Sequence, residues 1–319
     1  MDHDLYRYRA RTPLPEKPQT RVGLEGVAAP GDRRAAGSAT SFHRGALALR
    51  AYVVLFLEHW EAEPPAEQLR DPRFVGEYGS FTPDYRSWTQ REYGLRIGFF
   101  RVLDALRAAG IRPAVAAHAR AAQRVPQLVA ALQVSGCEWV AHGLAATQLM
   151  HSRMTLQAQR DHIHESLDSL QAVVGTRPKG WLSQDWGTTP HTFELLAEAG
   201  VRYTLDWCND DAPYHLMTEP ALTAVPLSAE WDDVQCQWLR QLSPRQHAAL
   251  TLQAFDRLRQ ECQEAQRPAV FGLSLHPWVS GMSSRIGVLR RLLDDLRARD
   301  DVQWCLPGSL VLESEAPPC

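Results

Sequence analysis

Ala51-Tyr-Val-Val-Leu-Phe-Leu57 is an unbroken apolar run that ends abruptly in Glu58 and His59. It shows no polar alternation, so it reads as a strand covered on both faces, as in a parallel sheet. Three later runs end the same way: Trp139-Val-Ala141 in His142, Arg202-Tyr-Thr-Leu205 in Asp206, and Val270-Phe-Gly-Leu-Ser-Leu275 in His276. Helix-like segments lie between them. Ile97, Phe100, Leu103 and Leu106 share one helical face, closed by Gly110. A helix over 126–134 stops at Gly136, and one over 155–174 has Thr155 as N-cap and Gly175 as stop. Further helices are expected at 188–199, 243–266 and 283–298. Strands are expected at 51–57, 112–118, 138–142, 179–183, 202–206, 223–229, 269–276 and 302–306. Strand and helix alternate nearly throughout, which predicts an α/β chain: a distorted (β/α) barrel of about seven parallel strands. In such a barrel the C-terminal strand tips converge on one face, and active sites sit there.

The rest of the chain frames that domain. Residues 1–47 are rich in Arg, Pro, Gly and Ala without an apolar period, and read as an irregular arm. The barrel is expected over 48–319, and the arm is a candidate for joining copies into a homo-oligomer. Residues 61–92 carry several prolines and aromatics and read as a lid or binding loop. Net charge is -3 with 45% apolar residues, and the basic residues do not form runs. That argues for a globular protein and against a nucleic-acid partner. No stretch nears the ~20 apolar residues that span a bilayer. The start, from Met1 to Arg9, has no apolar signal core, so a cytoplasmic protein is expected. The six cysteines include no Cys-x-x-Cys and read as reduced, mostly buried thiols.

Two imidazoles and two carboxylates at strand tips suggest proton transfer. Taken singly, each reads as easily as a solvated strand end or a hydrogen-bonded core histidine. His276, before Pro277 and Trp278, is placed to protonate a leaving nitrogen. His142 precedes Gly143, which would let backbone approach a ligand. Asp206, Asn209, Asp210 and Asp211 form the densest polar cluster; it reads either as a turn or as carboxylates needing cations or donors. Glu230-Trp-Asp-Asp233 reads as a solvated loop or a second acidic group with equal weight. Trp60, Trp181 and Trp207 are candidate pocket walls, and Arg96 a candidate anchor for an anion. His151, His162 and His164 read as surface residues.

Together these segments resemble the polysaccharide deacetylase superfamily, the NodB-homology or carbohydrate esterase family 4 fold, and more closely its allantoinase-like branch. The resemblance covers about residues 45–312. It rests on Leu57-Glu-His-Trp60, Tyr93-Gly-Leu-Arg-Ile-Gly98, Ala141-His-Gly143, Asp206 to Tyr214, Pro226 to Asp233, and Leu275-His-Pro277. In that family the first strand ends in two aspartates, a base and a metal ligand; Glu58 and His59 hold those places here. The family's paired metal-binding histidines reduce to His142, with Ala146 at the second place. Its Arg-x-Pro-Tyr motif is not recognisable in Gly180 to Gly187. One ligand is therefore gone, and no cofactor is favoured. A divalent metal such as zinc on His59 and His142, with Glu58 or Asp210 as third ligand, is the alternative.

The resemblance implies a hydrolase of a non-peptide carbon–nitrogen bond in a linear or cyclic amide, with a small amide or ureide as substrate. Glu58 would take a proton from water and His276 would give one to the departing nitrogen. His142, Asp206 and Asp210 would orient them, with His142 also a donor to the oxyanion. His59, Trp60, Arg96, Trp181, Trp207, Asn209, Asp211 and Glu230 would line the substrate site. Two other readings stay open: a metal-dependent N-deacetylase of an acetylated amino sugar, and a non-catalytic binding protein on the same barrel.

Overall fold

A computed structural model describes residues 48–66, 68 and 83–312. The expected arm over 1–47, its pairing of copies, and the middle of the expected lid lie outside these residues. Strand β1 (Arg50–Leu57) is the hub of the sheet. It pairs in parallel with β2 (Ala114–Ala117), β8 (Val270–Leu275) and, at its foot, β9 (Gln303–Trp304). Outward from β2 come β3 (Glu138–Ala141), β4 (Gly180–Trp181), β5 (Tyr203–Thr204) and β7 (Leu222–Ala224), all parallel. The order β7-β5-β4-β3-β2-β1-β8 is that of a parallel barrel wall.

One strand departs from the expectation. β6 (Tyr214–Leu216) runs antiparallel to β7. Its three residues sit in a turn-rich stretch, where no alternation longer than a turn could be read. The free edge of β8 is met by single bonds: Val270 N–H donates to the Asp211 carbonyl, and the Trp231 indole N–H to the Gly272 carbonyl. These contacts bring the two ends of the sheet together without a continuous ladder.

Side chains alternate between two cores. Ala51, Val53, Leu55 and Leu57 join the larger cluster under the helices. Tyr52, Val54 and Phe56 join the inner cluster with Ala114, Ala116, Val140, Leu182, Tyr203, Leu205 and Val270. The interior is filled, not a pore. Tyr203 lies so close to Gly180, and Tyr52 to Gly272, that a Cβ on either glycine would collide with the phenol ring. Both phenols are satisfied, Tyr52 by the Pro226 carbonyl and Tyr203 by Glu138.

The helices follow the sequence signals closely. α1 (Tyr85–Tyr93) runs through a π-helical turn (Gly94–Gly98) into α2 (Phe99–Ala108). A short α3 (Ala119–Arg124) precedes α4 (Pro126–Val134). α5 (Leu156–Val174) has Thr155 as its N-cap, accepting from Ala158 N–H, and Gly175 at φ 82 as its stop. α6 (Thr192–Glu198) is shorter than expected, and α7 (Pro244–Ala265) opens with a Ser243–Gln246 capping box. α8 (Pro277–Ser280) and α9 (Ile286–Arg297) complete the set. Among the described residues, no helix is long and apolar enough to cross a membrane. The five described cysteines are free, and Cys208 is exposed rather than buried.

The glycine motif at 94–98 packs instead of binding an anion. A Cβ on Gly94 would lie 2.7 Å from Trp278 Cβ, and one on Gly98 would lie 2.2 Å from the Pro277 carbonyl. A Cβ on Gly281 would likewise lie 2.4 Å from Gly98 Cα. Only bare backbone lets the π-turn seat α8 and fix Trp278. Gly98→Ala should therefore destabilise the protein by about 3 kcal/mol in urea unfolding, since backbone cannot yield. Gly287→Ala, facing open space in α9, should be neutral or stabilising by up to about 1 kcal/mol.

Candidate active site

Register explains which tip residues meet. Leu57, Ala117 and Ala141 are paired across β1, β2 and β3, so Glu58, His118 and His142 stand one residue above them at a common level. Each shares parity with the inner cluster and faces inward. On the other side of β1, Leu55 pairs with Leu275, which sets His276 beside Phe56. The two rings stack at 3.8 Å. Glu58, His142 and His276 line one cleft with Phe56, Trp60, Gln184, Trp186, Asp232 and Trp278. The open space within the cleft and in front of it amounts to about 430 Å³.

His276 is the most firmly held group. Its Nδ1 lies 2.6 Å from Asp233, whose carboxylate also accepts the His276 backbone N–H and the Ser280 hydroxyl. The Nδ1 proton is thus directed at Asp233, and Nε2 is the second ring nitrogen of an imidazole that lines the cleft. Burial alone would lower its pKa, but the charges of Asp232, Asp233 and Glu58 outweigh burial and raise it to about 9. Across the cleft, Glu58 is 6% exposed and accepts the Trp278 indole N–H at 3.0 Å. The guanidinium of buried Arg91 lies 3.7 Å over Trp278, with Trp60 and Trp238 also around it. A cation over the indole face holds that ring in place.

His142 is wired differently from expectation. Its Nδ1 lies 2.6 Å from the Leu182 carbonyl, which can only accept, so Nδ1 carries the proton. Burial lowers its pKa to about 4, so the ring is neutral and Nε2 is left as an acceptor, with the Gln184 side chain as its hydrogen-bonding neighbour. The geometry makes His142 an acceptor in the cleft rather than an oxyanion donor. Nor does Gly143 admit a ligand: His162 Nε2 fills the space, 3.2 Å from where its Cβ would be. His162 is not a surface residue, and burial lowers its pKa to about 4.

Other expected site residues go elsewhere. Asp206 has outward parity, and its carboxylate accepts from Ser183 N–H at 2.6 Å, Ser183 Oγ and Thr204 Oγ1. Burial, partly offset by these bonds, raises its pKa to about 6. Trp181 is buried behind Ser183 and donates to its hydroxyl. Trp207 packs on Phe193. Asn209 accepts from Tyr214, and exposed Asp210 caps a turn at Ala212. Asp211 lies at Val270, the opening residue of β8, about 20 Å of strand from His276 at ~3.3 Å per residue. Arg96 is exposed on the π-turn. Exposed Glu230 pairs with Arg240.

The residues of the expected metal set do not fit a three-ligand ion. His59 has outward parity, and its Nδ1 lies 2.6 Å from the Arg124 guanidinium, which Glu92 holds through two oxygens. A cationic side chain therefore already occupies that nitrogen. Ala146 offers no donor atom, and exposed Asp210 is engaged in its turn. Asp232, Asp233 and His276 also present ligand atoms within 4.8 Å of one another. There, however, the hydrogens of His276 and Ser280 already take up the Asp233 oxygens.

Sequence reasoning missed Asp233, Trp278, Gln184, Trp186 and His118 as site residues. Asp233 and Trp278 lay inside quoted stretches but had no parity to mark them. His118 had a signal, since its strand was recognised and it stands one residue past the last paired position.

No family model matches the chain. A Schizosaccharomyces pombe protein described as "Putative polysaccharide deacetylase" is 23% identical over 228 residues, 66% of this chain and 70% of that protein. The crystal structure of Puue allantoinase superposes with a TM-score of 0.76 at 23% identity, covering 89% of this chain and 97% of that one. A "probable Polysaccharide deacetylase" from Pseudomonas aeruginosa gives 0.72 at 24%, covering 83% and 90%. The chain carries their fold. The deacetylase-type barrel is therefore established by shape, as the sequence motifs implied.

Within this barrel, Asp206 acts as the anchor of the β4 tip. Asp206→Ala removes three hydrogen bonds and strands the Ser183 N–H. It should cost about 3 kcal/mol, read by urea unfolding.

Proposed function

We propose that the chain hydrolyses a non-peptide carbon–nitrogen bond in a small linear or cyclic amide, without a metal. The observation that carries this reading is the Asp233–His276 pair facing Glu58 in one cleft. Relatives described as deacetylases and an allantoinase support it, since the first name denotes hydrolytic removal of an acyl group and the second hydrolysis of a cyclic amide.

The reaction needs a base for water and an acid for the leaving nitrogen. Glu58, oriented by Trp278, takes a proton from water as its oxygen bonds to the amide carbon. His276 is protonated below about pH 9 and gives its Nε2 proton to nitrogen as the carbon–nitrogen bond breaks. Asp233 keeps the ring oriented and stabilises the imidazolium. The proton on Glu58 then returns to His276 through solvent, which resets both groups. Trp60, Trp186 and Trp278 shield the cleft from bulk water. A cytoplasmic setting and a small-molecule substrate belong to the same reading.

A panel of small amides and cyclic ureides should yield at least one that is hydrolysed. With that substrate, Glu58→Gln should lower kcat by at least about 10³-fold with an unchanged circular dichroism spectrum; full activity would remove Glu58 from the mechanism. The pH profile gives a second check. An acid raised to about pH 9 is present below that pH and lost above it, so kcat/KM should fall on the alkaline side. Asp233→Asn removes a charge that raises the His276 pKa, so the alkaline limb should move to lower pH. Dialysis against a chelator should leave turnover unchanged. Loss restored by zinc would instead assign a metal-dependent reaction.

A further inference from the structure

The mechanism above leaves one buried carboxylate of the cleft unused. Asp232 is fully buried and lines the cleft. Its Oδ1 accepts the Gln235 N–H at 2.9 Å, but its Oδ2 accepts no hydrogen bond. His276 Nδ1 lies 3.6 Å from that oxygen and directs its proton at Asp233 instead, at 2.6 Å. An unpaired carboxylate oxygen away from water is costly, so its presence in a cleft marks what a ligand must supply. Burial pushes this carboxyl up to about 7, against the opposing pull of the His276 charge. Neighbouring groups do not compete for the same ligand atom. The Gln184 side chain hydrogen-bonds with His142 and His118, and the unpaired Trp186 indole N–H is a donor that suits a carbonyl.

Charge points the same way. Glu58, Asp185 and Asp232 line the cleft, and Asp233 holds His276 beside them. Among the described lining residues, His276 is the cation, and there is no lysine or arginine. Arg91 is stacked on Trp278 and Trp60 and is not part of the lining. One imidazolium thus faces several carboxylates, which favours a positively charged guest over a negative one. The carboxylate is also fixed in place. The Trp231 carbonyl before it accepts from His247 Nε2, and its own carbonyl accepts the Cys236 N–H. A group held this way needs no reordering to bind.

We propose that Asp232 is a specificity-determining residue that receives a cationic substituent, an ammonium or guanidinium, on the amide substrate. This rests on the hydrolase reading and names its substrate class. A cation supplies both the missing hydrogen and the missing charge. A neutral amide of the same shape leaves Oδ2 unpaired, and an amide carrying a carboxylate is repelled.

The test uses the full-length protein and three probes titrated by calorimetry: N-acetylethylenediamine, its neutral isostere N-propylacetamide, and the anionic N-acetylglycine. Wild type should bind the cation at least about 10-fold more tightly than the isostere, and the anion most weakly. Asp232→Asn keeps the shape and removes the charge. It should erase the preference by weakening the cation alone, which a merely unfolded variant cannot do. Asp185→Asn, a carboxylate of the same cleft at an exposed position, should leave the preference within about 2-fold, because a charge in water is screened. Should Asp232→Asn bind nothing, the wild-type order of the three probes decides. Equal binding of cation and isostere by wild type, tightest binding of the anion, or binding of none would overturn the proposal. So would a preference unchanged in Asp232→Asn, or one lost equally in Asp185→Asn. Turnover separates the two claims. Hydrolysis of amides without a preference for the cation sinks this inference alone. The expected binding pattern without hydrolysis of any amide sinks the hydrolase reading alone.

Discussion

The period of two along a β-strand, applied at one shared register, is the constraint on which the site depends. Leu57, Ala117 and Ala141 stand in one row, so whatever follows each of them arrives at the same height. Parity then sorts those residues. Glu58, His118 and His142 continue the inward series of Phe56, Ala116 and Val140. His59 falls on the outward series and is spent on Arg124. A slip of one residue in β1 would exchange Glu58 for His59 and dismantle the cleft. Size matching opposes that slip: Tyr52 stands opposite Gly272 of β8, where any side chain would collide with its ring.

Burial then decides what the gathered groups are. His142 and His276 both lie in the cleft wall, yet one has its pKa lowered to about 4 and the other raised to about 9. The difference is not exposure, since both are buried. It is what surrounds Nδ1: a neutral carbonyl for His142, the Asp232 and Asp233 carboxylates for His276. One ring becomes an acceptor and the other an acid. On the opposite wall, the Arg91 guanidinium steadies Trp278, which in turn orients Glu58. The bare backbone of Gly94 and Gly98 lets the helix carrying Trp278 come close enough to do so.

The sequence was most legible where local signals were strong. Thr155 and Gly175 marked the limits of α5, Ser243 marked the start of α7, and Gly136 followed α4. The apolar runs located β1, β3 and β8 with the correct tip residues. It was least legible where composition and position pulled apart. The acidic stretch from Asp206 to Asp211 reads as one cluster along the chain. In space it is divided: Asp206 is buried under Ser183, while Asp211 meets the far end of β8. Arg96 looked like an anion anchor because it stands at a helix start, but it is exposed on the π-turn, whose glycines receive Pro277 and Trp278.

By itself, the chain determined the alternation of strand and helix, the parallel barrel that follows from it, and the imidazoles and carboxylate delivered to the strand tips. These are set by local periodicity and capping, which need only neighbours a few residues away. Tertiary structure alone decided that Asp233 would hold His276, that Arg124 would occupy His59, and that Gln184 and Trp186 would face the cleft. Those outcomes depend on register, parity and the approach of distant segments, 43 residues apart for Asp233 and His276 and 65 for His59 and Arg124. No local pattern encodes them, because the energy that selects them appears only once the chain has closed on itself.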